Sequence, residues 1–198
     1  MRLFVGLDIS AGIREAVGDY VQGLQRALPN DGCRWVKPES LHVTLKFIGE
    51  SQKAAEIENE LRKVKSPAIA MTFTGVGFFT PKVPRIFWAG VNAGPELFAL
   101  ASDIDSRLVR VAVPKEPHTY EEYQPHVTLA RTGSGRPSGS ARDRGKTGMW
   151  ALQELVKNQP QPEFGTMTAE EFILYRSETL PGGSRYTALA RFPLVQRK

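Results

Sequence analysis

Cysteine and histidine are scarce in this sequence: one Cys, Cys33, and three His stand among 198 residues. A single cysteine excludes an internal disulfide framework and a cysteine-based zinc site, and nothing in the count calls for an oxidising compartment. Long apolar runs are missing too. The opening stretch is broken by Gly6 and Asp8 before it reaches the length of a secretory apolar region, and no run approaches the roughly 18 residues that span a bilayer. A soluble, cytoplasmic protein with no membrane partner is therefore expected. Neither sign of charge dominates. The 26 Lys+Arg against 21 Asp+Glu leave +5, which suits an anionic partner such as RNA without demanding one. The length fits one domain, and a chain of this size buries about two-thirds of its unfolded surface without staples.

Segments of two periodicities alternate. Ile13, Val17, Val21, Leu24 and Leu28 recur at helical spacing behind Ser10, a candidate N-cap, and Pro29-Asn30-Asp31-Gly32 stops the run. Helices are also predicted over 51–65, 95–111 and 149–157. Strands are predicted over 2–9, 33–36, 41–48, 69–79, 85–91, 126–131, 164–176 and 185–195, the last two joined through Pro181-Gly182-Gly183. The stretch 132–148, rich in Gly, Ser and Arg, reads as an exposed loop. Strands follow one another too often for a doubly wound parallel sheet, so the class is α+β. No linker divides the chain, and neither a coiled coil nor an exposed apolar stripe is apparent, so a monomer is expected.

One four-residue word occurs twice. His42-Val43-Thr44-Leu45 returns as His126-Val127-Thr128-Leu129, with Gly49 and Gly133 at matching offsets. The repeat suggests two related halves, about 1–83 and 84–198, within a single domain. Side chains alternate along a strand, so His42 and Thr44 share one face, as do His126 and Thr128. A lone histidine in a strand is more often a packed residue than a catalyst. Two histidines in identical contexts, each beside a hydroxyl, are another matter. Imidazole titrates near pH 6.5, so one ring can act as base and the other as acid. Hydroxyls donate to anionic oxygens. A base, an acid and two donors match a phosphodiester, and the set needs no metal.

The words L-H-V-T-L-K-F-I-G and P-H-V-T-L-A-R resemble the paired signatures of the 2H phosphoesterases. The opening R-L-F-V-G-L-D-I, then R-W-V-K-P-E-S-L-H, R-I-F-W-A-G-V and the closing P-G-G-S-R-Y-T-A-L-A-R-F are similar, in order, to the RNA 2',3'-cyclic phosphodiesterase branch, often labelled 2'-5' RNA ligases. The resemblance implies a bilobal, pseudo-two-fold fold with an antiparallel sheet and flanking helices in each lobe and a central groove. It implies hydrolysis of RNA or nucleotide 2',3'-cyclic phosphate ends to the 2'-phosphate, without metal or cofactor. His42 would be the general acid, His126 the general base, and Thr44 and Thr128 the phosphate donors. Two alternatives stand beside it. The same residues can run a 2'-5' ligase or 2'-5' phosphodiesterase reaction, and a groove of this kind can hold a nucleotide or RNA end without turnover.

Five further residues are possible substrate contacts. Lys46 shares the His42 face by alternation. The resemblance favours Arg131 contacting substrate, but strict alternation turns it away, so a bulge or strand end is required. Phe47 and Tyr123 flank the repeated words and can stack a base, although core packing suits Phe47 better. Tyr186 follows the Gly-Gly turn beside Arg185. Arg136, Arg142, Arg144 and Lys146 can meet phosphates from the predicted loop. Gly75-Val76-Gly77 lacks the third glycine of a dinucleotide fingerprint. His118 stands alone on a predicted loop, and no histidine spacing suggests a metal site. Trp35 and Trp88 read as structural.

Overall fold

A computed structural model describes residues 1–29, 32–114, 123–132, 139–180 and 183–195. Nine strands and four α-helices follow the order β1 (Arg2–Asp8), α1 (Ala11–Ala27), β2 (Cys33–Trp35), β3 (His42–Glu50), α2 (Ala54–Leu61), β4 (Ile69–Phe79), β5 (Ile86–Ala93), α3 (Pro95–Leu108), β6 (His126–Thr132), α4 (Gly139–Lys157), β7 (Glu163–Ala169), β8 (Glu171–Leu180) and β9 (Gly183–Pro193). The pairings within the sheet are antiparallel, in the order β7-β4-β5-β6-β3-β1-β8-β9, with β2 also on β6. The α+β class stands.

The order divides into two four-stranded groups, β7-β4-β5-β6 and β3-β1-β8-β9. They meet at a single registered pair, Val43 opposite Val127. Strand β2 takes the β6 edge beyond that point: Cys33, Arg34 and Trp35 pair with Thr132, Arg131 and Ala130, and the Val36 amide donates to Leu129 O at 2.8 Å. A cut near residue 83 separates the two H-x-T words but not the two strand groups, because β1, the partner of β3, also pairs with the late strand β8, and β4 pairs with β5 and β7.

Local sequence accounts for most elements. Strand β1 lies between β3 and β8, and its continuous apolar run Leu3–Leu7 is buried throughout. The Ser10 hydroxyl caps α1 by accepting from the Ile13 amide, and Ile13, Val17 and Leu24 form the buried face. Pro95 occupies the first turn of α3, which buries Leu97, Leu100, Ile104 and Leu108. Burial of each such side chain contributes about 1.5–3 kcal/mol. Among the described residues no helix is long and apolar enough to cross a membrane.

Three predicted elements are corrected. Helix α4 begins at Gly139, inside the stretch read as a loop. Apolar periodicity reports a buried face rather than a helix, and Ala141, Arg142, Arg144 and Lys146 are helix formers without it. The strand predicted over 164–176 is two strands. β7 pairs with β4 and β8 with β1, so the chain passes from one strand group to the other at Glu170. Ser51 is not the cap of α2; its hydroxyl accepts from the Lys53 amide, and the helix starts at Ala54.

Gly6 lets the first histidine strand approach closely. A Cβ there would stand 2.8 Å from Val43 O and 3.5 Å from both His42 Cδ2 and Phe4 Cε2. The obstacle is backbone, which cannot swing aside. Gly6→Ala should therefore destabilise the fold by about 1–3 kcal/mol, read as a lower denaturant midpoint at unchanged slope. An unchanged midpoint would contradict the close approach.

Candidate active site

In an antiparallel pairing with Val43 opposite Val127, His42 lies across from Thr128 and Thr44 across from His126. Both valines are fully buried, so the His and Thr side chains of both strands lie on the opposite, groove-facing side. The two H-x-T units are thus related by a local two-fold around one residue pair.

The environments of the two histidines repeat as well. His42 Nδ1 is 2.8 Å from Ser40 O, and His126 Nδ1 is 2.7 Å from Gln124 O. A carbonyl only accepts, so each Nδ1 carries the hydrogen and each Nε2 is left to exchange a proton with a substrate. Aromatic rings hold both imidazoles. Phe4 lies 4.7 Å and Tyr186 5.0 Å from His42, centroid to centroid, and Phe79 meets His126 edge-on at 4.7 Å. Tyr175 stacks on Phe4 at 4.9 Å.

Burial lowers both histidine pKa values. Desolvation is the largest effect on His42, opposed by its bond to Ser40. The charges of Arg131 and His126 lower it further and Asp8 raises it, leaving it at about 4. His126 is also lowered, chiefly by burial and then by Arg131, against the bond to Gln124. Both rings are neutral near pH 7 with the groove empty, and an anion seated between them raises both.

The same irregularity follows each H-x-T. In β3 the register moves from Gly6–Thr44 to Val5–Lys46, and in β6 from Trp88–Thr128 to Phe87–Ala130. Leu45 and Leu129 are the extra residues of two equivalent β-bulges, and each reverses the alternation beyond it. Lys46 is accordingly turned away from the groove, which corrects the expectation from simple alternation. It is 2% exposed, and its Nζ contacts Asp105 at 2.5 Å and donates to Pro114 O at 2.9 Å. Phe47 instead comes to the His42 side beside Phe4 and is 54% exposed, so it is not the core residue favoured by composition. Arg131 gains the groove by the bulge its position required. Its Nη2 lies 3.5 Å from Thr128 Oγ1, the long limit of a hydrogen bond, and its charge reaches both histidines.

Tyr123 is half-buried, and its hydroxyl donates to Thr44 O at 2.8 Å. Its ring lines a cavity of about 600 Å³ beside His126 that Trp88 and Phe98 also line. Phe4, Phe79 and Tyr175 are site residues that the sequence did not single out. Their signal was alternation on β1, β4 and β8, usable only with the pairing in hand. His118 and Arg136 lie outside the described residues, as do the side chains of Arg142, Arg144 and Lys146. Among the described residues no three His, Cys, Asp or Glu side chains are grouped to hold a metal ion.

The chain resembles known proteins in sequence and in fold. The family model for LigT-like phosphoesterases matches residues 7–88. A protein of Archaeoglobus fulgidus named RNA 2',3'-cyclic phosphodiesterase is 31% identical, over 97% of this chain and 99% of its own. The chain belongs to the LigT-like phosphoesterases. It is a phosphodiesterase of this 2H family. A second relative with the same name, from Methanothermobacter thermautotrophicus, is 33% identical over 98% of this chain and 99% of its own. The crystal structure of E. coli LigT complexed with 3'-AMP superposes with a TM-score of 0.74 at 26% identity, covering 98% of both chains. The LigT-like fold accounts for the curled antiparallel sheet with its flanking helices.

Two titrations check the electrostatics. In the free protein the His42 ring should titrate near pH 4, below His126, by NMR. The unfolded chain binds this proton near pH 6.5, so stability should fall as pH drops from about 6.5 towards 4. A His42 ring titrating at or above 6.5 would contradict the burial. Arg131→Met should raise both ring pKa values, because it removes a cation that lowers each, and should raise KM for an anionic substrate. Unmoved titrations would place Arg131 away from the rings.

Proposed function

We propose that this LigT-like phosphoesterase is an RNA 2',3'-cyclic phosphodiesterase that opens the cyclic ester to a 2'-phosphate by two-histidine acid–base catalysis, without a metal. One observation carries the reading: two H-x-T units stand around the Val43–Val127 pair, each with Nδ1 committed to a carbonyl. The names of the relatives and the 3'-AMP complex of E. coli LigT support a nucleotide phosphate in this groove.

The phosphate sits between the rings, its non-bridging oxygens taking hydrogen bonds from Thr44 and Thr128 and the charge of Arg131. His126 Nε2 removes a proton from water as the water oxygen bonds to phosphorus. The bond from phosphorus to the ribose 3' oxygen breaks, and His42 Nε2 delivers its proton there. The products are a 2'-phosphate and a 3' hydroxyl, with the proton moved from one ring to the other. The anionic phosphate supplies the charge that keeps His42 protonated despite its burial. Because the leaving oxygen is protonated and the non-bridging charge is held by the donors, no metal ion is required by the step. The nucleoside enters the cavity beside His126, and Phe47 offers an exposed ring on the other flank. The chain acts as a single bilobal domain and as a monomer, since both units come from one chain.

Turnover of 2',3'-cyclic AMP and of a short RNA with a 2',3'-cyclic end should persist in EDTA and give the 2'-phosphate. His42→Ala and His126→Ala should each lose at least about a hundredfold in kcat. With one ring protonated in the active form and both free-enzyme pKa values below their ordinary value, kcat/KM should decline as pH rises above about 6.5. Activity abolished by EDTA, or either alanine variant retaining full kcat, would defeat the mechanism.

A further inference from the structure

The strands that carry the two histidines barely hold each other. Among the described residues β3 and β6 share the one pair Val43–Val127, after which β2 occupies the β6 edge. A base and an acid working on one phosphate need a fixed separation, and a displacement of about 1 Å can cost on the order of a hundredfold in rate. Something other than the ladder must fix it.

Two side chains tie β3 to the connection that leads into β6. Tyr123 lies just before His126, and its hydroxyl donates to Thr44 O, one residue past the shared pair. Its ring packs edge-on against Phe98 of α3 at 5.8 Å. Burial raises its pKa far above the working range, so it remains a donor throughout. The second side chain is Lys46, two residues further along β3. The Leu45 bulge turns it inward, where its ammonium joins Asp105 of α3 and Pro114 O. Pro114 and Tyr123 are the described ends of the connection that leads from α3 to His126. Both ends are thus fastened to β3, at Thr44 and at Lys46. The second repeat has Ala130 where the first has Lys46, so the fastening runs from one half to the other without a symmetry-related copy.

We propose that Tyr123 and Lys46 are positioning residues that set the first H-x-T unit against the second, acting through the Thr44 backbone and the approach to His126. The proposal rests on the two-histidine reading of the groove.

The test compares wild type with Tyr123→Phe and Lys46→Met. Steady-state kinetics on 2',3'-cyclic AMP are read beside thermal melting and NMR pH titration of His42 without ligand. Tyr123→Phe keeps the ring and loses one hydrogen bond. It should lower kcat about tenfold, leave KM within about twofold, and melt within a few degrees of wild type. The His42 titration should rise towards its ordinary value as the loosened groove admits water to the buried ring and separates it from Arg131 and His126, with Asp8 still beside it. Lys46→Met should move kcat and the His42 titration the same way. A Tyr123→Phe protein with wild-type kcat and an unmoved His42 overturns the proposal. If wild type leaves the cyclic phosphate intact, the hydrolase reading fails. The His42 titration, which needs no substrate, then decides: a raised value supports the fastening and an unmoved one overturns it.

Discussion

The contact between Val43 and Val127 is the constraint on which the site depends. Among the described residues it is the one point at which the two strand groups share a ladder, and both side chains are fully buried. An antiparallel pair has a local two-fold axis, so identical words on its two strands are presented as units related by rotation about it. The valine of each word enters the core, and its neighbours on either side are forced onto the groove. The chemistry of the site follows from that placement, since each imidazole then faces the hydroxyl of the other unit.

The bulges at Leu45 and Leu129 act with this pair. Each reverses alternation immediately after the H-x-T, so the first residue beyond the four-residue word goes into the core and the second towards the groove. The symmetry of the backbone is filled asymmetrically. Lys46 is matched by Ala130, and Phe47 by Arg131. One side of the groove thereby gains an aromatic face, and the other a cation near both rings. A substrate with a base on one side of an anionic phosphate suits such a pair better than a symmetric molecule would. The same asymmetry turns a lysine inward, against Asp105 and the connection to His126.

Much of this was legible in the sequence, and the limits were physical. The repeated word named His42, Thr44, His126 and Thr128, because period-two alternation over three residues survives without any knowledge of neighbours. Beyond Leu45 and Leu129 the same rule misplaced Lys46 and undervalued Phe47, since a bulge is a property of two strands in register. Alternation alone turns Arg131 away from the groove, and the bulge at Leu129 brings it back. Phe4, Phe79 and Tyr175 were missed because only long-range pairing puts them beside the histidines. The start of α4 escaped because its first turns carry no apolar stripe. The break at Glu170 escaped because two strands with a common apolar character run together in the letters, although they serve opposite ends of the sheet.

In the proposed mechanism both histidines address one phosphate. This is checked by titrating the protein with adenosine 2'-monophosphate, the phosphate form that the proposed reaction would leave, while following the ring nitrogens of His42 and His126 by ¹⁵N NMR. Both Nε2 resonances should move along a single binding curve, while both Nδ1 atoms keep their hydrogens on the Ser40 and Gln124 carbonyls. One ring responding alone, or two rings saturating at different ligand concentrations, would contradict it.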